Sequence, residues 1–181
     1  MPSEKMRIVV FGNSGSGKSR FAQNVSQAGG LAYLDLDTVA WTGKKPPQRL
    51  PIEESQRKIQ SFVESQRNWI IEGCYASLID FASAWASNLI FLNPGTETCL
   101  SNCRSRPWEP HKYPSKDAQD ENLEMLLKWV SEYESRDDEY SYREHRRILD
   151  EFQGRKTELR SNIEGQAYAS KLIEALHPTT G

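Results

Sequence analysis

Cysteine is scarce in this chain, and neither sign of charge dominates it. The three cysteines are Cys74, Cys99 and Cys103, among 181 residues. An odd number of thiols, with no secretory apolar segment ahead of the first strand, excludes a disulfide-stapled secreted scaffold and predicts reduced thiols in the cytoplasm. Met1-Pro2-Ser3-Glu4-Lys5 is expected to run straight into that strand. No apolar stretch is long enough to span a bilayer, and hydrophobic residues at 37% with charged residues at 27% point to a soluble protein with a polar surface. Lys and Arg number 23 against 25 Asp and Glu, for a formal charge of −2. With an isoelectric point near 6.0, there is no basic field to hold a nucleic-acid backbone. Nucleic acid is therefore not the expected partner, although a nucleotide or an oligonucleotide end stays open as substrate. No internal repeat and no linker divides the chain, and its length suits one α/β domain with room for a lid. The oligomeric state is left open.

What is present is concentrated in residues 12–19. Gly12, Asn13, Ser14, Gly15, Ser16, Gly17, Lys18 and Ser19 match G-x-x-x-x-G-K-[ST] in full. Glycines let such a backbone curl so that successive N–H groups form an anion nest. Lys18 supplies a point charge for β- and γ-phosphates, and the Ser19 hydroxyl is a ligand for Mg²⁺. Arg20 follows directly and is counted with the phosphate-binding residues. The context agrees: Arg7-Ile8-Val9-Val10-Phe11 is an apolar run of strand length. Phe21, Ala22, Val25 and Ala28 then fall at helical spacing before Gly29-Gly30. A helix opening at the loop turns its positive dipole end towards the anion. The pattern predicts a site for a nucleoside triphosphate.

Strand-like runs recur at 6–11, 31–35, 68–73 and 88–92, with a polar fifth at 155–160, and helices are expected between them. Such alternation predicts a parallel sheet covered on both faces. Ser161-Asn162-Ile163-Glu164 reads as a capping box for a helix through Leu176. A helix is expected near 52–66, after a loop holding Trp41, Lys44, Lys45, Pro46, Pro47 and Pro51. A second loop, 105–119, carries Pro107, Pro110 and Pro114, and a loop that long in a compact domain is more often functional than idle. Leu123, Leu126, Leu127, Val130 and Tyr133 mark a helix face. The charged stretch 136–147 reads equally well as a solvated helix face with Glu/Arg pairs. Cys99 and Cys103, four apart with His111 beyond, suggest a metal site, but no fourth ligand follows at zinc spacing, so packing is the expected role.

Three carboxylates are placed to serve the loop. Asp35 and Asp37 end the second strand, and spacing of two puts both on one face if the chain stays extended. Ligands of parallel sheets bind beyond the carboxyl ends of the strands. One acid would then hold a metal-bound water and the other accept a proton from an attacking hydroxyl. The alternative is a turn, or a cap for a helix beginning near Thr38. Glu72 ends the third strand, where a carboxylate can order the water shell of a metal, the alternative being simple surface exposure.

GNSGSGKS, YLDLD…W at 33–41, WIIEGCY at 69–75 and NLIFLN at 88–93 together resemble the adenylate-kinase-like P-loop kinases. Within them the chain is most similar to the bacterial topology-modulation (FlaR-type) proteins, which carry W-I-I-D-G-N-Y and a Leu/Trp-bearing helix like LLKWVSEY at 126–133. The resemblance covers nearly the whole chain. It implies a three-layer α/β fold with a five-stranded parallel sheet, an acceptor-binding segment at about 38–67 and a lid at about 105–119. It implies phosphate and metal roles for Lys18 and Ser19, an acid at Glu72, and a D-x-D pair at Asp35 and Asp37 of the shikimate-kinase kind. Arg104 and Arg106 resemble lid-entry arginines that clamp phosphates, and Arg136 and Arg143 resemble the returning arginines of adenylate kinases. Glu stands at 72 where the branch has Asp, and Cys74 where it has Asn, a position facing the acceptor.

The expected activity is transfer of the γ-phosphoryl of Mg·ATP to a small acceptor, a nucleoside, nucleotide or hydroxylated metabolite. Trp41 and Arg49 are acceptor contacts on this reading, and Arg57 is a solvated helix position. A slowly hydrolysing, nucleotide-dependent switch acting through a partner is the alternative. A GTPase is disfavoured because N-K-x-D and a post-strand D-x-x-G are missing, and an ABC-type ATPase by size and signature.

Overall fold

The computed structural model describes residues 5–177; residues 1–4, with most of the expected run into the first strand, lie outside them. Five strands form one sheet: β1 (Arg7–Gly12), β2 (Ala32–Asp35), β3 (Trp69–Gly73), β4 (Asn88–Leu92) and β5 (Arg155–Leu159). Their order is β2-β3-β1-β4-β5, and every neighbouring pair is parallel. Parallel pairs need crossovers, and helices supply them on both faces. On one face Val9, Phe11, Ile71, Leu89 and Phe91 share a core with α3 (Ile52–Ser65), α4 (Ala76–Ser83) and α8 (Tyr142–Glu151). On the other, Ile8, Val10, Ile70, Ile90 and Leu92 meet α1 (Lys18–Gly29) and α9 (Asn162–Leu176). The three central strands are almost wholly buried, which is why they read as continuous apolar runs.

Helix ends follow their local chemistry. Gly30 closes α1 in the left-handed conformation at φ 65°. Ser161 caps α9 by accepting from the Glu164 N–H at 3.1 Å. The Glu164 carboxylate returns to the N–H of Arg160 at 2.6 Å, one residue ahead of the usual partner.

Three expectations need correction. The chain does not stay extended through Asp37: it turns at Leu36 (φ −63°, ψ −22°) into the short helix α2 (Asp37–Ala40), because Asp35 offers its carboxylate to the Asp37 N–H at 2.8 Å. The loop at 105–119 is shorter, since its last residues enter α6 (Lys116–Glu121), capped by Ser115. Tyr133 lies beyond α7 (Leu123–Ser131), though it is buried all the same. The charged stretch is only half solvated. Arg147 pairs outward with Glu144 and Glu151, at 3.0 and 2.8 Å, while His145, Ile148 and Leu149 turn into the core. Cys99 and Cys103, on α5 (Thr96–Arg104), pack against Val130, Leu126 and Leu127.

Edge strand β5 is fastened by charge. Glu158, 14% exposed, accepts from Arg146 at 2.6 Å, Asn93 at 2.9 Å and Arg160 at 3.2 Å. Burial alone would raise its carboxyl, but these bonds outweigh burial and hold it near 2. A depressed acid contributes stability above its ordinary value of 4.5 and loses it as pH falls through about 2. Glu158→Gln is therefore expected to cost about 1–2 kcal/mol at pH 7, a deficit that closes as both proteins are titrated towards pH 2 in denaturant melts.

Candidate active site

The phosphate loop leaves β1 and folds back onto α5. Gly15 (φ 79°) sits so close that a Cβ there would strike the Cys99 carbonyl and the Cys103 thiol. The loop is also tied from behind. The buried Asn13 side chain donates to the Val130 carbonyl of α7 at 3.1 Å, and Asn102 donates to the Gly15 carbonyl at 2.8 Å. Lys18 reaches back to the Asn13 carbonyl at 3.2 Å. The Ser16 hydroxyl is buried and has no partner.

Glu72 is 2% exposed, so its charge depends on donors. Ser19 supplies one at 2.9 Å and Tyr33 another at 3.0 Å, both on Oε1. The Tyr33 phenol is pushed far up by burial and by Glu72 and Asp35, so it stays a donor. Asp35 is the register partner of Glu72 across β2 and β3. Burial, then Glu72, then Asp37, raise its carboxyl to about 6 against the opposing pull of the Asp37 N–H and Lys112.

A cavity of about 700 Å³ opens over the loop, a volume typical of ligand sites. Gly15, Ser16, Gly17, Lys18, Ser19, Arg20 and Asp35 line it, with Asn162, Gly165 and Gln166 from the start of α9. The segment 105–119 contributes Arg106, Glu109, His111 and Lys112. Gly12, Asn13 and Ser14 are not among the lining residues, and neither is Arg104, which is exposed at the end of α5. The Glu109 carboxylate lies 3.4 Å from both Arg106 and Lys112. Gln119 braces this turn, accepting from the Glu109 N–H at 2.8 Å and donating to the Pro107 carbonyl at 3.0 Å.

Asp37, Trp41 and Arg49 come together around Tyr75. The Tyr75 hydroxyl donates to Asp37 and accepts from the Trp41 indole at 2.8 Å. The Arg49 guanidinium lies 4.9 Å from the ring centre. Cys74 is partly buried beside them, its thiol pushed to about 12 by burial, with Lys18 opposing and Asp37, Glu72 and Glu139 adding to the rise. Tyr75 was visible only as the last letter of WIIEGCY, and Glu139 only as one charge in a charged stretch. Their roles come from long-range contacts that carry no local spacing.

No family model matches the chain, and no curated protein matches it in sequence. Solved structures do match along its whole length. A shikimate kinase from Acinetobacter baumannii in complex with shikimate is 13% identical, covering 98% of this chain and 96% of its own, with a TM-score of 0.53. A gluconokinase from Sinorhizobium meliloti 1021 is 17% identical over 98% of both chains, with a TM-score of 0.51. A sugar kinase from Janibacter sp. HTCC2649 is 16% identical over 94% of this chain and 91% of its own, with a TM-score of 0.50. The chain has the P-loop kinase fold.

Seen on that fold, the donor set fits Mg²⁺. Such sites bind the ion through one or two protein oxygens and leave the rest of its shell to phosphates and water, and Ser19, Glu72 and Asp35 offer two acids and a hydroxyl at the loop. Among the described residues, no group of three or more His, Cys, Asp and Glu is arranged as a self-sufficient metal site, and no helix is long and apolar enough to cross a membrane.

Crowding of Asp35 has a measurable cost. Its folded-state carboxyl lies above the ordinary 3.8, so stability is lost as pH rises from there through about 6. Asp35→Asn keeps an acceptor for the Asp37 N–H and removes the charge. The variant is expected to melt higher than the wild type at pH 7.5, by about 1–2 kcal/mol after allowing for solvent, and to match it at pH 4.

Proposed function

We propose that this chain is a kinase moving the γ-phosphoryl of Mg·ATP to a hydroxyl of a small acceptor, a nucleoside, nucleotide or hydroxylated metabolite. The observation that carries this reading is the partly buried Ser19–Glu72 hydrogen bond, beside Lys18 at the floor of the cavity and next to Asp35. The folds of a shikimate kinase, a gluconokinase and a sugar kinase support a small hydroxylated acceptor over a switch. WIIEGCY and the segment LLKWVSEY at 126–133 support a place near the topology-modulation branch.

In this reaction the acceptor oxygen forms a bond to the γ-phosphorus as the bond to the β–γ bridging oxygen breaks, and ADP leaves. Mg²⁺ held by Ser19 and Glu72 would supply positive charge against the phosphate oxygens. The N–H groups of residues 15–19 cradle the phosphate chain, and the unpartnered Ser16 hydroxyl is available to it. Lys18 exchanges the Asn13 carbonyl for phosphate oxygens. Ser19 and Glu72 hold the metal and its water, with Asp35 on the same strand-end row. Asp37 takes the acceptor proton, and Trp41 and Arg49, from the segment 38–67, bound the acceptor together with Cys74, which follows β3. The lid, 105–119, brings Arg106 and Lys112 over the phosphates and excludes water, without which ATP would hydrolyse.

ADP release from Mg·ATP across a panel of hydroxyl acceptors tests this. One acceptor is expected to stimulate release, and Lys18→Ala to remove the stimulated rate, a loss of about 100-fold or more. Glu72→Gln is expected to raise the Mg²⁺ concentration needed for half-maximal rate. Release that no acceptor stimulates, or normal turnover in both variants, would sink the assignment.

A further inference from the structure

We propose that the acceptor is a non-anionic hydroxyl compound, neutral or aminated, with a flat apolar face, and that carboxylates and phosphates are rejected. This rests on the kinase reading and concerns the half of the site around Tyr75. An anionic acceptor is ordinarily held by an arginine whose planar fork is free for two parallel bonds. Of Arg49, Arg57 and Arg67 in the acceptor segment, Arg49 is the one over Tyr75, and its fork is already used. One arm donates to the Ala40 carbonyl at 2.9 Å, the other faces Glu139 at 3.5 Å, and its plane lies over Tyr75.

Glu139 is not a loose counter-ion. Its second oxygen accepts from the Ser77 hydroxyl at 2.5 Å and from the Ser77 N–H at 3.4 Å. To free Arg49, an incoming carboxylate would have to displace an acid bolted to the start of α4. Arg136, the next cation along, lies over the Trp129 ring at 3.4 Å and has its charge balanced by Asp138 at 3.2 Å, although its Nε makes no hydrogen bond. Lys44 and Lys45 stand on the exposed turn between Trp41 and Arg49, where a solvated ammonium holds an anion weakly. With Arg49 cancelled by Glu139, Asp37 leaves this half of the site net negative.

The remaining surroundings are aromatic, with Tyr75 buried and Tyr140 and Trp129 half-buried. Tyr75 and Tyr140 meet edge to face at 5.4 Å, and Tyr140 meets Trp129 at 5.1 Å. Trp41 is 38% exposed with its N–H already bonded, so its ring face is what it has to offer. Rings flanked by fixed acids favour flat apolar faces and ammonium groups over anions.

The test compares acceptors by charge. ADP release is measured with a ribonucleoside, a neutral sugar, an amino sugar, gluconate, shikimate and a nucleoside monophosphate. In parallel, gluconate binding to the wild type and to Glu139→Gln is followed by tryptophan fluorescence. A neutral or aminated compound is expected to exceed every anion in kcat/KM by about 100-fold, and Glu139→Gln, by freeing Arg49, to bind gluconate about tenfold more tightly than the wild type. If gluconate, shikimate or the monophosphate is the best substrate of the wild type, the inference falls while the kinase reading stands. If no acceptor exceeds the Lys18→Ala blank, the kinase reading falls. The charge argument then rests on fluorescence alone: gluconate bound by the wild type and lost in Glu139→Gln overturns it, and the reverse supports it.

Discussion

The parallel register of β1 against β3 places the chemistry. Val10 lies opposite Glu72 and Phe11 opposite Gly73, so the acid ends its strand where β1 gives way to the phosphate loop. β2 pairs in the same sense and sets Asp35 beside Glu72. A slip of one residue would turn Glu72 to the other face of the sheet and Ile71 out of its core. The buried apolar interior of the three central strands prevents that slip, so the core that holds the sheet together also aims the acids. The raised carboxyl of Asp35 comes first from burial and then from this alignment with Glu72, a strain that a cation would relieve.

A second layer keeps the loop in shape. Asn13 and Asn102 fix its backbone from α7 and α5, and Cys99 and Cys103 fill the space beneath Gly15. The thiols thus serve the site by packing. His145 makes a similar tie on the acceptor side. Its Nε2 lies 2.8 Å from the Cys74 carbonyl and its Nδ1 2.7 Å from the Tyr133 hydroxyl. A carbonyl only accepts, so Nε2 carries the proton and Nδ1 accepts from the phenol. Burial lowers the imidazole to about 4, which keeps that neutral tautomer in place across the working range of pH. The segment after the lid therefore braces both the loop, through Val130, and the end of β3, through Tyr133 and His145.

These ties mark the border of what could be read in advance. The strands, the loop, α1 and the cap of α9 are written in neighbouring residues, and their limits agree to within about one residue. Asp37 shows where local reading divides, since the alternative of a turn into a helix near Thr38 is the one that forms. A four-residue helix has no periodicity to detect, so two acids spaced by two suggested an extended strand end. Helix α6 was hidden in the same way behind three prolines. The Tyr75 cluster draws on residues from 37 to 140 and had no local signature at all. Arg49 and Arg106 were visible as cations, but the acids that occupy them were not, because a charge in a polar stretch says nothing of its partner.

The two occupied arginines differ in a way that matters for function. On the lid, Glu109 sits between Arg106 and Lys112, held by the very cations it screens. A triphosphate brings several negative charges to the same place and can take both cations from one carboxylate, so this pairing is exchangeable. At the acceptor side, Glu139 is held to Arg49 and also, twice, to Ser77. Displacing it would leave a half-buried carboxylate short of a partner and break the start of α4, which one incoming anion cannot offset. Similar ion pairs thus have opposite consequences. On the proposed reading, one yields its cations to phosphate and the other removes an arginine from recognition. The chain, on that same proposed reading, meets charge with charge at the phosphate loop and meets its acceptor with aromatic rings and fixed acids.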